Sequence, residues 1–174
     1  NAYSNKAVNK IFKLKRRPKI NPLIVHYPNF KEAMNDVELN KNFYKLYNKF
    51  CPGPITFILN KNKKSKIDSL VTAKLDTVAV RFPNHRVMKK ILKILEFPLA
   101  MPSANFSSGV SPVSAYHVFE EFKKKLKIIV DGGDSKIGIE STVIDLTGAP
   151  KILRPGIINT NEIKNCLKVK LSMK

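Results

Sequence analysis

A short apolar run at residues 97–101, Phe-Pro-Leu-Ala-Met, stops at Pro102 and gives way to Ser103, Ala104 and Asn105, then Ser107, Ser108 and Gly109. A run of this length reads as a buried strand, and proline ends it because it has no N–H for the sheet ladder. The residues that follow are short and carry hydroxyls and amides. They leave room at the strand's carboxyl end, where open α/β sheets bind ligands. Taken alone, the stretch also reads as a plain loop whose Ser and Asn side chains make local turns.

Around it, helical and strand patterns alternate. Residues 4–14 carry an apolar stripe of Ala7, Val8, Ile11, Phe12 and Leu14 behind a Ser4 cap, with basic residues crowding the end before Pro18. Residues 23–27 read as a strand, 30–50 as helix in two pieces around Asn40, Pro52-Gly53-Pro54 as a turn and 55–59 as a strand. Further strands are expected at 77–82, 128–130, 141–146 and 152–156. Helices are expected at 85–95 (with Val87, Met88, Ile91, Leu92 and Leu95 inward), 113–126 and 161–167. Without a repeat or a linker, this alternation predicts one α/β domain with a mixed sheet, and 174 residues suffice for a real core.

Lys and Arg number 32 against 13 Asp and Glu, a formal net charge of +19. Such a surplus favours anionic partners: nucleotides, phosphates or RNA. Most of it is lysine in runs at 61–66 and 123–127, beside many Asn and Ile. Codon drift of an AT-rich genome onto solvated faces is the plainer reading of that excess. Cys51 and Cys166 have no metal spacing and do not suggest a disulfide framework, so the expectation is a reduced, cytoplasmic protein with two buried structural thiols. No apolar run is long enough to span a bilayer, and no signal peptide is visible.

Four stretches place cations or hydroxyls where regular structure stops: Lys15-Arg16-Arg17-Pro18 leading to Asn21-Pro22, Thr77 with Arg81, Ser103-Ala104-Asn105, and Ser141-Thr142 with Arg154. A single arginine there is usually a surface residue. Three of them, with Ser and Thr partners, lean towards an anion site, because a guanidinium can clamp a phosphate or carboxylate with two parallel hydrogen bonds. Gly133 and Gly138 have phosphate-loop spacing, but Ile139-Glu140 follows where Lys-Ser/Thr is needed. There is no dinucleotide fingerprint, no Gly-x-Ser-x-Gly elbow, and no metal spacing among His26, His85 and His117. His85 reads as a surface or capping residue and His117 as structural. His26, ending a strand after the first basic cluster, reads either way.

Taken in order, these stretches resemble the YrdC family of threonylcarbamoyl-AMP synthases. Lys15-Arg16-Arg17 resembles the family's Lys-x-Arg element and Asn21-Pro22-Leu23-Ile24-Val25-His26 the strand after it. Pro52-Gly53-Pro54-Ile55-Thr56 resembles its Pro-Gly-Pro-x-Thr turn, and Pro102-Ser103-Ala104-Asn105 its Ser-x-Asn element. Val78-Ala79-Val80-Arg81-Phe82-Pro83, Asp131-Gly132-Gly133, Glu140-Ser141-Thr142-Val143 and Leu153-Arg154-Pro155-Gly156 complete the set, over about residues 1–160.

The resemblance implies a twisted α/β mixed sheet flanked by helices around a basic cavity. It implies synthesis of threonylcarbamoyl-AMP from L-threonine, bicarbonate and ATP, with release of pyrophosphate. The product would supply the tRNA threonylcarbamoyl-transfer machinery that modifies a tRNA adenosine. By the same carry-over, Arg17, Asn21, Thr77, Ser103, Asn105, Ser111 and Arg154 would serve ATP. His26, Arg81, Ser141 and the backbone at Met101 would hold threonine. Lys15 and Arg17 would stabilise the charge that develops in the reaction, with Mg²⁺ carried by the nucleotide rather than by a protein cage. The expected organisation is a single YrdC-like domain over residues 1–174. It would lack both the family's Pro-Thr-Glu-Thr-Val-Tyr-Gly-Leu-Gly segment before the position of Asn1 and the second, carboxyl-terminal domain of longer members. Two other readings stand beside the synthase. One is a non-catalytic or regulatory RNA-binding paralogue that contacts RNA through its basic surface. The other, weaker one is the carbamoyl-transfer domain of a hydrogenase-maturation protein, whose zinc-finger cysteines have no counterpart here.

Overall fold

The computed structural model describes residues 1–168 and the backbone of 172–173, with nothing stated for the side chain of Lys124. Helices α1 (Asn5–Lys15), α2 (Phe30–Ala33), α3 (Lys41–Phe50), α4 (Arg86–Ile94), α5 (Ala115–Phe122) and α6 (Thr160–Leu167) accompany strands β1 (Ile24–His26), β2 (Ile55–Asn60), β3 (Thr77–Arg81), β4 (Leu99–Ala100), β5 (Thr142–Asp145), β6 (Lys151–Arg154) and β7 (Ser172–Met173). All of these strands join one sheet in the order β4-β1-β3-β2-β5-β6-β7. The β1–β3, β2–β5 and β6–β7 pairs are parallel and the others antiparallel, so the sheet is mixed.

Alternation along the strands divides the sheet into two faces. Val25, Phe57, Val78, Val80 and Ile144 point to one face and are buried there with Val8 and Phe12 of α1, Phe43 and Leu46 of α3, and Ile163 and Leu167 of α6. Caps set where these helices start: Ser4 Oγ accepts from Ala7 N, Asn40 Oδ1 from Phe43 N, and Asn159 forms a capping box with Glu162. Ile24, His26, Ala79, Arg81, Ile58 and Val143 point to the other face, which is open and lines a cavity.

A register shift lets β6 serve both faces. Ile152 and Arg154 are two residues apart and would share a face in an even strand. The ladder instead pairs Ile144 with Ile152 and Val143 with Arg154, with a shift between Val143 and Ile144. Such an irregularity re-aims a side chain. Ile152 therefore stays in the core while Arg154 joins the cavity.

Several sequence expectations need correction. The run at 97–101 is a two-residue edge strand, because Pro98 and Pro102 leave few N–H groups for a ladder. Residues 128–130 form no strand, and Ile128 and Val130 are exposed. The helix expected at 113–126 starts behind the Ser114 cap, ends at Phe122 and continues only as a 3-10 turn over Lys123–Lys125. His117 is exposed on α5 rather than packed. The cavity lies across a face of the sheet and takes in Met101, Pro102 and Ser103, just past the carboxyl end of β4. Among the described residues, no helix is long and apolar enough to cross a membrane.

Candidate active site

The cavity on the open face has a volume of about 390 Å³. It joins a larger recess of about 1110 Å³, with Arg81, Ser103, Pro112 and Val113 on both walls. Of the residues expected to act, it gathers Arg17, His26, Arg81, Met101, Ser103, Ser111, Ser141 and Arg154.

The floor is built by β1 and β3. Their parallel register sets His26 beside Arg81. His26 is only 6% exposed, and burial, reinforced by the Arg81 charge, pushes its imidazole down to about 3. It is therefore neutral at physiological pH. Burial also lowers the Arg81 guanidinium, with Arg154 adding to the effect and Glu140 opposing it. His26 Nδ1 and Arg81 Nε are buried without a hydrogen-bond partner, as is Ser107 Oγ.

One wall is made by β5 and β6. Ser141 Oγ and Thr56 Oγ1 lie 2.8 Å apart in a buried pair. Arg154 donates to Ser141 O from Nε (3.2 Å) and Nη2 (2.9 Å), and to Ser141 Oγ from Nη2 (3.1 Å), while Nη1 pairs with the Glu140 carboxylate. Two glycines permit this arrangement. A Cβ on Gly156 would come within 2.5 Å of Glu140 O and Thr142 N, so only glycine lets the segment after β6 lie against the Glu140–Thr142 backbone. Gly53 is crowded by Phe50 O in the same way, and its N–H donates to Phe82 O (2.8 Å) while Pro54 O accepts from Thr142 N (3.0 Å). The Pro-Gly-Pro turn thus ties the end of β3 to the start of β5.

The opposite wall is the end of α1. Lys15 continues the Val8–Phe12 stripe at helical spacing and is 4% exposed. Its amine donates to Ser103 O (2.5 Å), to Asn105 O and, at 3.4 Å, to Asn105 Oδ1. Burial and then Arg17 lower its pKa, while Glu121 opposes them. Asn105 Nδ2 donates to Gly109 O (2.7 Å), Ser107 N to Lys15 O (2.9 Å) and Phe106 N to Glu121 Oε1 (2.8 Å). Arg16, in a left-handed turn at φ 52°, stacks over Phe106 at 5.4 Å. The helix end therefore fixes the Ser103–Asn105 loop, and Arg17 emerges beyond it into the cavity.

Lys15 and Asn105 stand behind this wall rather than on its surface. Asn21 is exposed, and its carbonyl accepts from Arg17 Nε (3.1 Å). Thr77 lies at the opposite end of β3 from Arg81, paired with Asn60, and lines neither recess. The sequence reading assigned no site role to Glu140 or Thr56. Glu140 had a signal: it directly precedes Ser141, an acid among basic strand ends. Among the described residues no group of three or more His, Cys, Asp or Glu side chains is placed to hold a metal ion. The cavity's carboxylate, Glu140, is committed to Arg154, so a divalent cation would be held chiefly by ligand phosphates. Cys51 is a free thiol, pushed up to about 12 by burial, which makes it unreactive.

Residues 1–156 match the Sua5_yciO_yrdC family, described as "Telomere recombination". The chain is 43% identical over 169 residues to a threonylcarbamoyl-AMP synthase of Pyrococcus abyssi, covering 96% of this chain and 49% of that protein. Against the threonylcarbamoyl-AMP synthase of Bacillus subtilis the identity is 38% over 167 residues, covering 94% and 48%. A crystal structure of P. abyssi Sua5 complexed with L-threonine superposes with a TM-score of 0.94 at 41% identity, covering 100% of this chain and 51% of that one. The chain thus spans about half the length of these relatives. With the match over residues 1–156 and the shared fold, the chain belongs to the Sua5/YciO/YrdC family.

Proposed function

We propose that this chain carries the synthase site for threonylcarbamoyl-AMP, using L-threonine, bicarbonate and ATP and releasing pyrophosphate. The observation that carries the reading is the pair of unpartnered buried nitrogens, His26 Nδ1 and Arg81 Nε, on the floor of a cavity walled by Arg17 and Arg154. Buried polar atoms without partners are rare in folded proteins and mark where a ligand completes the set. Arg81 meets the threonine carboxylate by charge. Neutral His26 adds a hydrogen bond, with Ser141 and the Met101 backbone alongside. Arg17, Arg154, Ser103 and Ser111 take the nucleotide, and the Asn21 side chain stands beside Arg17 at its edge. Lys15 and Asn105 hold the loop that presents Ser103.

The chemistry asks little of a protein nucleophile. The threonine amine attacks the bicarbonate carbon and water leaves, giving the carbamate. A carbamate oxygen then attacks the α-phosphate and pyrophosphate departs. The protein's part is to bring anions together and stabilise the charge that develops. Mg²⁺ would enter on the nucleotide's phosphates and offset their charge. The adenylate would pass to tRNA threonylcarbamoyl-transfer machinery. Any direct RNA contact through the lysine surface would weaken steeply with salt.

The test is incubation of the chain with ATP, Mg²⁺, bicarbonate and L-threonine, with mass spectrometry for the adenylate. A parallel version carries the Pro-Thr-Glu-Thr-Val-Tyr-Gly-Leu-Gly segment before Asn1. Threonine-dependent product from either supports the reading; product from neither overturns it.

A further inference from the structure

Three arginines, Arg17, Arg81 and Arg154, face one cavity, and the carboxylate among them is Glu140. Glu140 pairs directly with Arg154 Nη1, and its charge also acts on Arg17 and Arg81. The orientation of Arg154 does not depend on that pair. Nε and Nη2 are already bound to Ser141 O and Oγ, and Ser141 is itself anchored to Thr56 inside the sheet. Glu140 therefore covers the edge of the guanidinium that remains for an incoming anion. Its backbone is pinned against Gly156, while its side chain is 50% exposed, so solvent can take up the carboxylate when a phosphate displaces it.

We propose that Glu140 is an internal counter-anion that competes with the ligand's phosphate for Arg154 and so sets how tightly this cavity binds anions. The inference rests on the reading of the cavity as a nucleotide site. A phosphate that reaches Arg154 displaces the carboxylate, and part of its binding energy is spent on that exchange. The same carboxylate keeps the cluster's charge in check, so the cavity does not hold pyrophosphate too firmly after the reaction.

The experiment is titration calorimetry of the chain with ATP and with inorganic pyrophosphate at fixed ionic strength. It compares the wild type, Glu140→Gln, Arg154→Gln and the double variant. Glu140→Gln keeps size and polarity, and its thermal midpoint should match the wild type. The expected result is a gain of about 3- to 5-fold in affinity for both probes, the upper part of the range for a half-exposed ion pair. In the Arg154→Gln background the gain should shrink to within about twofold, because the competed group is gone. Unchanged or weaker binding by Glu140→Gln overturns the inference, as does a gain that persists undiminished without Arg154. Absence of binding by wild type and Glu140→Gln alike overturns the nucleotide reading, and this inference with it.

Discussion

His26 and Tyr27 are neighbours at the end of one strand, yet they enter two polar environments of opposite kinds. Tyr27 turns to the core side, where its hydroxyl donates to Asp36 Oδ2 (2.9 Å). Tyr3 donates to the same oxygen (2.7 Å), and Oδ1 accepts from Ser65 Oγ (2.8 Å) and Lys66 N (3.1 Å). Asp36 is 1% exposed, and both of its oxygens are satisfied from within the chain. His26 turns to the cavity side, where its Nδ1 and the adjacent Arg81 Nε meet nothing. Leaving a polar group buried and unpaired costs about 1–3 kcal/mol. A satisfied cluster ties segments together; an unsatisfied one lowers stability and is retained where a ligand supplies the missing partner. The contrast separates residues that hold the fold from residues that serve the site.

The sharpest way to break that contrast is to strip each cluster of its centre. Asp36→Ala would strand two tyrosine hydroxyls and a serine that now share one carboxylate. The expected loss is about 3–4 kcal/mol in urea unfolding. A loss under about 1 kcal/mol would mean that water replaces the carboxylate and that the cluster is not structural. Arg81→Gln should behave in the opposite way. Stability should change by less than about 1 kcal/mol, since a desolvated cation with an unpartnered Nε is removed. Adenylate synthesis should fall by at least about a hundredfold, as when a charge-stabilising donor is lost from an active site. An Arg81→Gln chain that unfolds readily would place Arg81 with Asp36 among the structural groups.

Lys15 tests the boundary between the two kinds. Its residue type and motif suggest chemistry, but its amine is already engaged by Ser103 and Asn105. Lys15→Met fills the apolar stripe and removes those bonds. It should cost about 2 kcal/mol of stability and weaken ATP binding through the released Ser103–Asn105 loop. Full stability with synthesis abolished would instead make Lys15 a direct participant.

These distinctions were only partly legible in the sequence. Alternation in Thr77-Val78-Ala79-Val80-Arg81 already places Arg81 opposite the core valines, and the order of motifs brings most cavity residues into one reading. The Val8–Phe12–Lys15 spacing shows that Lys15 falls on the buried stripe, although its charge points the other way. What could not be read is pairing. The register shift that sends Ile152 inward and Arg154 to the cavity depends on the partner strand. The Glu140–Arg154 pair depends on that shift, and the Asp36 cluster joins residues as distant as Tyr3 and Ser65. Strand direction is a further case: Thr77, a hydroxyl in the right motif neighbourhood, sits at the far end of β3 from Arg81.

The smallest expected effect sits on the boundary itself, at His26. In the unfolded chain its imidazole titrates near its ordinary value of 6.5, whereas burial beside Arg81 holds it at about 3 in the fold. Between those values the unfolded chain binds a proton that the folded chain refuses. Stability should therefore be independent of His26 above about pH 6.5 and fall as pH drops below it, by up to about 1.4 kcal/mol per pH unit. Carboxylates begin to titrate below about pH 5, so the informative window is pH 6.5 to 5. Urea unfolding of wild type and His26→Gln across that window should give a sloping line and a flatter one. A bound ligand that accepts a hydrogen bond from the His26 ring favours its protonated form over the neutral one, so it should reduce the wild-type slope. Equal slopes for the two proteins would mean that water reaches the floor and that His26 is not held apart from solvent. The cavity floor would then lose its claim to be a site poised for a ligand.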